Sequence, residues 1–332
     1  MKRMLLLIGF MAVAAAYFYY VRGVGIAPEA RVPAVVERDG AAGTFAWVSG
    51  APMPTARSEV SAAALNGKIH VIGGFDGFGR TLATVEIYDP ARDAWETGHP
   101  LPEPRHHAAA VTVGDSLYVI GGYQGLTFNP KADVFRFETG SASWRRVAPL
   151  PAARGAMAAA AWDGRIYVVA GVGAEGLADD LFVYDARQDR WEPKTHAPTR
   201  RDHLAAGALK GLFYVAGGRE KTLSSNLPSL EIYDPANDTW RSGPSMPTPR
   251  GGVAGAVLNG LFVVVGGEQP SSTYKETEAF DPDRHRWLSL PGLPTPRHGL
   301  AAVTVGDTLY AIGGGKKPAL SVSAVNEGLQ VR

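Results

Sequence analysis

A tryptophan recurs at Trp47, Trp95, Trp144, Trp191, Trp240 and Trp287, and ten positions after each stands an arginine: Arg57, Arg105, Arg154, Arg201, Arg250 and Arg297. The tryptophans are 48, 49, 47, 49 and 47 residues apart. Sixteen positions after each arginine comes a pair of small residues, Gly73-Gly74, Gly121-Gly122, Ala170-Gly171, Gly217-Gly218, Gly266-Gly267 and Gly313-Gly314. Self-similarity at this period restricts the chain to architectures that stack or ring one supersecondary unit, and it does so before any local propensity is weighed.

Within a unit, two strand-like runs flank a two-residue turn: Asn66-Gly67, Gly114-Asp115, Asp163-Gly164, Lys210-Gly211, Asn259-Gly260 and Gly306-Asp307. Glycine supplies the positive φ that such turns require. A third run ends in an aromatic residue and an acid, as at Tyr88-Asp89, Phe137-Glu138, Tyr184-Asp185, Tyr233-Asp234 and Phe280-Asp281, and the tryptophan of a fourth run lies six residues past the acid. Each unit therefore reads as a four-stranded antiparallel sheet. Its first strand is alanine- and glycine-rich, as in residues 62–64, 108–110, 158–161 and 254–256. Small side chains are what sheets converging on one axis can accommodate, so the first strand is expected innermost in a β-propeller. The large aromatics of the third and fourth strands then fill the widening gaps between sheets.

The Gly-Gly pair after an apolar run, the Tyr-Asp-Pro and the tryptophan six residues past the acid resemble the Kelch repeat. The resemblance runs from residue 47 to about 332 and implies a six-bladed, all-β Kelch propeller. Ala170 departs from it in the third copy, and no aromatic-acid pair or tryptophan follows Gly313-Gly314. Only about three strands fit in the sixth copy, whereas Trp47 arrives with a fourth strand and no repeat before it. The N-terminal strand is thus expected to complete the last blade and close the ring. The domain boundaries are 1–21 for a signal anchor or signal peptide, 22–43 for a tether and 44–332 for the propeller. The repeats lie near 57–95, 105–144, 154–191, 201–240, 250–287 and 297–332, the last completed by 44–52.

Charge and leader sequence bound the partners. Lys plus Arg number 33 against 32 for Asp plus Glu, and there is no cysteine. A balanced chain offers no global field for nucleic acid. Absence of cysteine removes disulfides, thiolate ligands and the Tyr–Cys cofactor that the galactose-oxidase-like members of the resembled fold require. Lys2 and Arg3 precede an apolar stretch, residues 4–21, with Tyr17, Phe18, Tyr19 and Tyr20 near its end. That length and aromatic belt suit a membrane anchor, while Ala14-Ala15-Ala16 suits cleavage as a signal peptide. Either reading exports the domain to a periplasmic or extracellular face.

Length variation is confined to the loops between the Gly-Gly pair and the aromatic-acid pair, and loops that vary carry function. In an up-and-down sheet they share a face with the arginines. The candidate ligand-binding face is therefore Arg57, Arg105, Arg154, Arg201, Arg250, Arg297, His106, His107, His203, His298, Tyr123, Arg219 and Glu220. Six arginines could hold an anionic ligand bidentately, and in animal Kelch adaptors the equivalent arginines contact acidic peptides. Their invariant offset equally suits a structural role, tying strands by hydrogen bonds. His106, His107, His203 and His298 come from copies two, four and six, which alternate round a ring and could approach its axis; no metal or cofactor is assigned. The resulting expectation is a monomeric, non-enzymatic scaffold for a protein segment or glycan. The alternatives are a sialic-acid mutarotase-like enzyme, for which Glu59, Asp202, Glu175 and Glu220 lie near the right face, and a structural envelope module without a specific ligand.

Overall fold

The computed structural model describes residues 44–140 and 142–331; the expected leader and tether, residues 1–43, lie outside them. Six four-stranded antiparallel sheets are arranged as the repeats predict. Blade 1 runs outward through Ser61–Leu65, Lys68–Ile72, Val85–Asp89 and Ala94–Thr97. Blades 2 to 5 repeat this order, and two short ribbons decorate the loops of blades 2 and 3. The innermost strands neighbour one another around the axis, which their alanines and glycines allow.

Blade 6 consists of Ala301–Val305, Thr308–Ile312 and Asn326–Val331, and its outer strand is Phe45–Ser49. Phe45 pairs with Val331 and Ser49 with Glu327. The ring is closed by the N-terminal strand, as the truncated sixth repeat and the leading Trp47 required. All described strands are thus covered or placed at short outer edges, which is how a propeller manages its unpaired backbone.

The apolar core is divided into six wedges, one in each gap between adjacent blades. Every repeat tryptophan contributes to the junction with the preceding blade. Its indole N–H donates to a carbonyl of the chain that leaves that blade: Trp95 to Ala51, Trp144 to His99, Trp191 to Ala148, Trp240 to Thr195, Trp287 to Pro244 and, across the seam, Trp47 to Pro291, at 2.7 to 2.9 Å. A second tie uses the Gly-Gly pair. Its second residue donates to the carbonyl of the next blade's repeat arginine in all six blades, at 2.8 to 3.0 Å, with Gly314 reaching Arg57 across the seam. A Cβ on Gly73 would lie 2.2 Å from the Arg105 carbonyl oxygen, so in blade 1 this close approach of the two backbones requires glycine. Ala170 holds the same left-handed conformation, φ 61°, in blade 3.

Blades 1, 3 and 4 add an acid-sensitive knot. Asp93 Oδ1 accepts from Tyr88 OH and from the Ala51 N–H, at 2.7 and 2.6 Å; Asp189 and Asp238 repeat the arrangement with Tyr184 and Ala148, and with Tyr233 and Thr195. The Ala51 and Thr195 amides are the main cause that holds Asp93 and Asp238 below the usual carboxylate range; at Asp189 partial burial opposes this, and Tyr184 with the Ala148 amide outweighs it. A carboxylate depressed in the folded state contributes stability above its unfolded pKa, about 4, and loses it as pH falls through the folded value. The melting temperature is therefore expected to fall below about pH 4, and to fall less steeply in the Asp93→Asn/Asp189→Asn/Asp238→Asn triple variant. Calorimetry from pH 5 to 2.5 checks this, and parallel pH slopes would refute it.

Candidate functional site

The six repeat arginines do not line an open mouth. Each is buried, and Arg57, Arg201, Arg250 and Arg297 have no exposed surface. In blades 1, 4, 5 and 6 the guanidinium pairs with a glutamate on the third strand of its own blade: Arg57 with Glu86 at 2.8 Å, Arg201 with Glu231 at 2.6 Å, Arg250 with Glu278, and Arg297 with Glu327 at 2.6 Å. The same groups donate to strand carbonyls, as Arg297 does to Gly313 and Ala311 at 2.8 and 2.9 Å. In blades 2 and 3 the glutamate position holds Phe135 or Phe182, and Arg105 and Arg154 lie over those rings, 5.4 and 5.8 Å from the centroid. Their charges go instead to Asp133 and Glu103, and to Asp180. Burial and ion pairing hold all six guanidiniums inside the blades, which fits the structural role that the sequence left open.

Two residues past each arginine, the chain turns across the axis. Glu59, His107, Ala156, His203, Gly252 and Gly299 occupy this position in blades 1 to 6, and all six are left-handed, with φ between 52° and 71°. Their peptide groups form a closed hoop: each N–H donates to the carbonyl of the equivalent residue in the preceding blade, at 2.7 to 3.1 Å, including Glu59 to Gly299 across the seam. Three blades project a polar side chain from the hoop and three project almost nothing. These residues and the inner strands line an axial cavity of about 150 Å³.

Glu59, His107 and His203 converge there, with one donor atom from each within 4.8 Å of the others. Glu59 Oε2 is 3.2 Å from His107 Nε2, and the His107 and His203 rings stand edge to face at 5.0 Å. Behind them, His106 Nδ1 is 2.6 Å from His107 Nδ1, and His106 Nε2 is 3.0 Å from the Gly125 carbonyl. Burial lowers the pKa of His106 to about 4 and that of His107 well below the ordinary imidazole value. Arg219 donates from Nε to Asp202 at 3.2 Å and from Nη1 to Glu268 at 2.8 Å, and its Nη2 is 3.0 Å from His203 Nε2. His298 Nε2 stands 3.6 Å from both Glu59 and Glu268. Burial raises the pKa of Asp202 and Glu268, and their cationic neighbours outweigh it, so both stay below the usual range.

Of the remaining expected residues, Tyr123 is buried against His106 and His107, at 5.4 and 5.5 Å between centroids, and Glu220 is exposed on the loop beyond Arg219. The histidines of copies two and four meet at the axis, whereas His298 reaches Glu59 and Glu268. Glu268 and Asp202 belong to the same cluster, and Asp202 is one of the acids that the sequence places near this face. The glutamate partners of the arginines had a signal: a Glu 28 to 30 positions past the arginine in four of six repeats.

The chain matches the Attractin/LZTR1 β-propeller over residues 69–321. It belongs to that family. Residues of the chain are 27% identical to mouse Kelch-like protein 35 over 173 residues, 52% of this chain and 21% of that protein. They are 35% identical to an F-box/kelch-repeat protein of Arabidopsis thaliana over 101 residues, 30% of this chain and 27% of that protein. The chain thus spans about a fifth to a quarter of the length of these relatives. Among solved structures, that of YjhT superposes with a TM-score of 0.71 at 15% identity, over 85% of this chain and 98% of that one. At that identity the likeness extends to the fold.

Proposed function

We propose that this Kelch propeller is a non-enzymatic binding scaffold that takes a segment of another protein, or a glycan, on its loop face. The supporting observation is an apolar crest beside the axial mouth. Phe78 is 80% exposed and Leu320 61%, and with Leu126 and Val322 they line a cavity of about 320 Å³ between the loops of blades 6, 1 and 2. Phe128, also exposed, stands next to it, 6.2 Å from Phe75. Large apolar side chains exposed together on one face favour a protein partner over a sugar. Lys316 and Lys317 are exposed on the same loops, while Arg80 is paired with Asp76 at 2.6 Å, so the preferred segment is apolar with acidic flanks, and the anionic preference resides in the two lysines rather than in the buried ring. The leader expected at 1–21 fits delivery of this face to the outside of a membrane, which protease accessibility in intact cells tests.

The expected result is that Phe78→Ser/Leu320→Ser keeps the melting temperature but loses at least about tenfold in capture of partners from the native extract. Identical captured sets would overturn the reading. A sugar-acting alternative is favoured by one observation, the proton-accepting side chains of Glu59 and His107 side by side at the axis. Saturation-transfer NMR of sialic acid separates the two, because accelerated anomeric exchange that disappears in Glu59→Gln would replace the scaffold with an enzyme.

A further inference from the structure

The two histidines behind the axial cavity fix each other's protons. The Gly125 carbonyl can only accept, so the His106 nitrogen facing it, Nε2, carries the hydrogen. A neutral His106 then presents a bare Nδ1 to His107 Nδ1, 2.6 Å away, and His107 must place its own hydrogen there. The remaining nitrogen, His107 Nε2, is a lone pair. It faces Glu59 Oε2 at 3.2 Å, and an ionised carboxylate has no hydrogen to give. Two acceptors thus confront each other across a contact that needs a cation.

The surroundings carry the same imbalance. Glu59, Asp202 and Glu268 bring three carboxylates to the cluster, and Arg219 is the guanidinium that joins two of them to His203. Acidic and imidazole donors thus outnumber the one guanidinium at this cluster. The backbone has also been bent to place the donors. Glu59, His107 and His203 adopt left-handed φ of 53°, 52° and 54°, a conformation disfavoured for residues other than glycine. In the opposite sense, Gly299 makes room: a Cβ there would lie 2.3 Å from Glu59 Oε1.

From this arrangement we propose that Glu59, His107 and His203 form a site for one divalent transition-metal ion of the zinc type at the axial mouth. Two imidazole nitrogens and one carboxylate oxygen match the ligand set of a zinc site that keeps an open position, and here the open position faces the cavity. His106, hydrogen-bonded to Gly125, fixes the ring orientation of His107 from behind. His203 Nδ1 lies 3.0 Å from Asp202 Oδ1 and its Nε2 3.0 Å from Arg219, so ligation through Nε2 would replace the Arg219 contact while Asp202 holds the ring. The ion site does not rest on docking at the apolar crest, although Phe75, which lines the crest's cavity, packs on His106 at 3.9 Å between centroids.

The test uses the untagged full-length chain, stripped with a chelator and titrated with Zn²⁺ by calorimetry and with Co²⁺ by visible absorption. The expected result is one ion per chain, Co²⁺ bands of a low-coordinate nitrogen-oxygen site, and a melting temperature that rises with Zn²⁺. Glu59→Gln and His107→Gln are each expected to weaken Zn²⁺ by more than about 100-fold, and Gly299→Ala, which leaves all three donors but displaces Glu59, by at least about tenfold. Glu175→Gln, an exposed acid on another loop, should bind as the parent does. Absence of Zn²⁺ binding tighter than about 1 mM, or of any rise in the parent's melting temperature, overturns the proposal. So does equal affinity in the parent and in the Glu59→Gln and His107→Gln variants. A variant that does not fold leaves the parent's stoichiometry, Co²⁺ spectrum and thermal shift to decide.

Discussion

A chain beginning at Gly50 is expected to melt as a single transition on the order of 10 °C below one beginning at Thr44, because the missing strand belongs to the ring rather than to a tail. Phe45–Ser49 pairs residue by residue with 327–331, and Trp47 donates to Pro291 of the preceding blade. Phe45 and Trp47 also join the wedge between blades 5 and 6. Truncating a fully buried Phe or Trp costs about 3–5 kcal/mol. Half that for two half-buried rings gives about 4 kcal/mol, and a change of 1 kcal/mol moves a domain of this size by about 2–4 °C. Differential scanning calorimetry of the two chains measures it, with the comparison at Thr44 cancelling any effect of residues 1–43. A synthetic peptide spanning residues 44–52, added in excess, should restore part of the loss by mass action. Equal melting temperatures would mean that the seam carries no stability.

The second large effect is expected at the buried ion pairs. Glu278→Ala leaves the Arg250 guanidinium charged, unpaired and without exposed surface. Breaking one side of such a pair costs about 3–5 kcal/mol, whereas replacing both partners with apolar residues of similar volume is often neutral. Glu278→Ala should therefore destabilise strongly in urea, and Arg250→Met/Glu278→Met should recover most of the loss. Arg105 pairs with acids that are 25% and 32% exposed. Solvent screens that pair, so Asp133→Ala should cost less than half as much. If Glu278→Ala and Asp133→Ala proved equal, burial would not be what sets the value of these pairs. If Arg250→Met/Glu278→Met kept its stability but lost partner capture, the guanidinium would have a ligand role after all.

How much of this was legible depended on whether a property follows from spacing or from side-chain direction. The tryptophans, the Gly-Gly pairs and the hairpin turns act through backbone position. Gly73-Gly74 must be small because another carbonyl arrives there, and Trp47 without a preceding repeat must complete the blade that lacks a fourth strand; both can be read from intervals. The arginines could be placed to within a residue on the correct face, yet their interval is the same whether the side chain turns toward the axis or into its own blade. Glu86, Glu231, Glu278 and Glu327 decide that orientation, and the aromatic replacements at Phe135 and Phe182 weaken the pattern that would have revealed it. At the mouth the difficulty is sharper. His106 and His107 are adjacent in sequence, and only the left-handed turn at His107 sends one ring to the axis and the other behind it. Nothing in composition distinguishes them.

The six peptide groups that circle the axis point head to tail, so their dipoles largely cancel around the circle and the backbone contributes little net field along the channel. A helix terminus arrives with a sign already fixed by its amides; this hoop arrives electrically blank. Whatever sign a visitor meets is written by side chains projecting from it, at present by three of six blades. The frame can therefore be recharged by an exchange at Ala156, which already carries a side chain in the left-handed conformation, while the hydrogen-bonded circle that holds the blades together stays as it is.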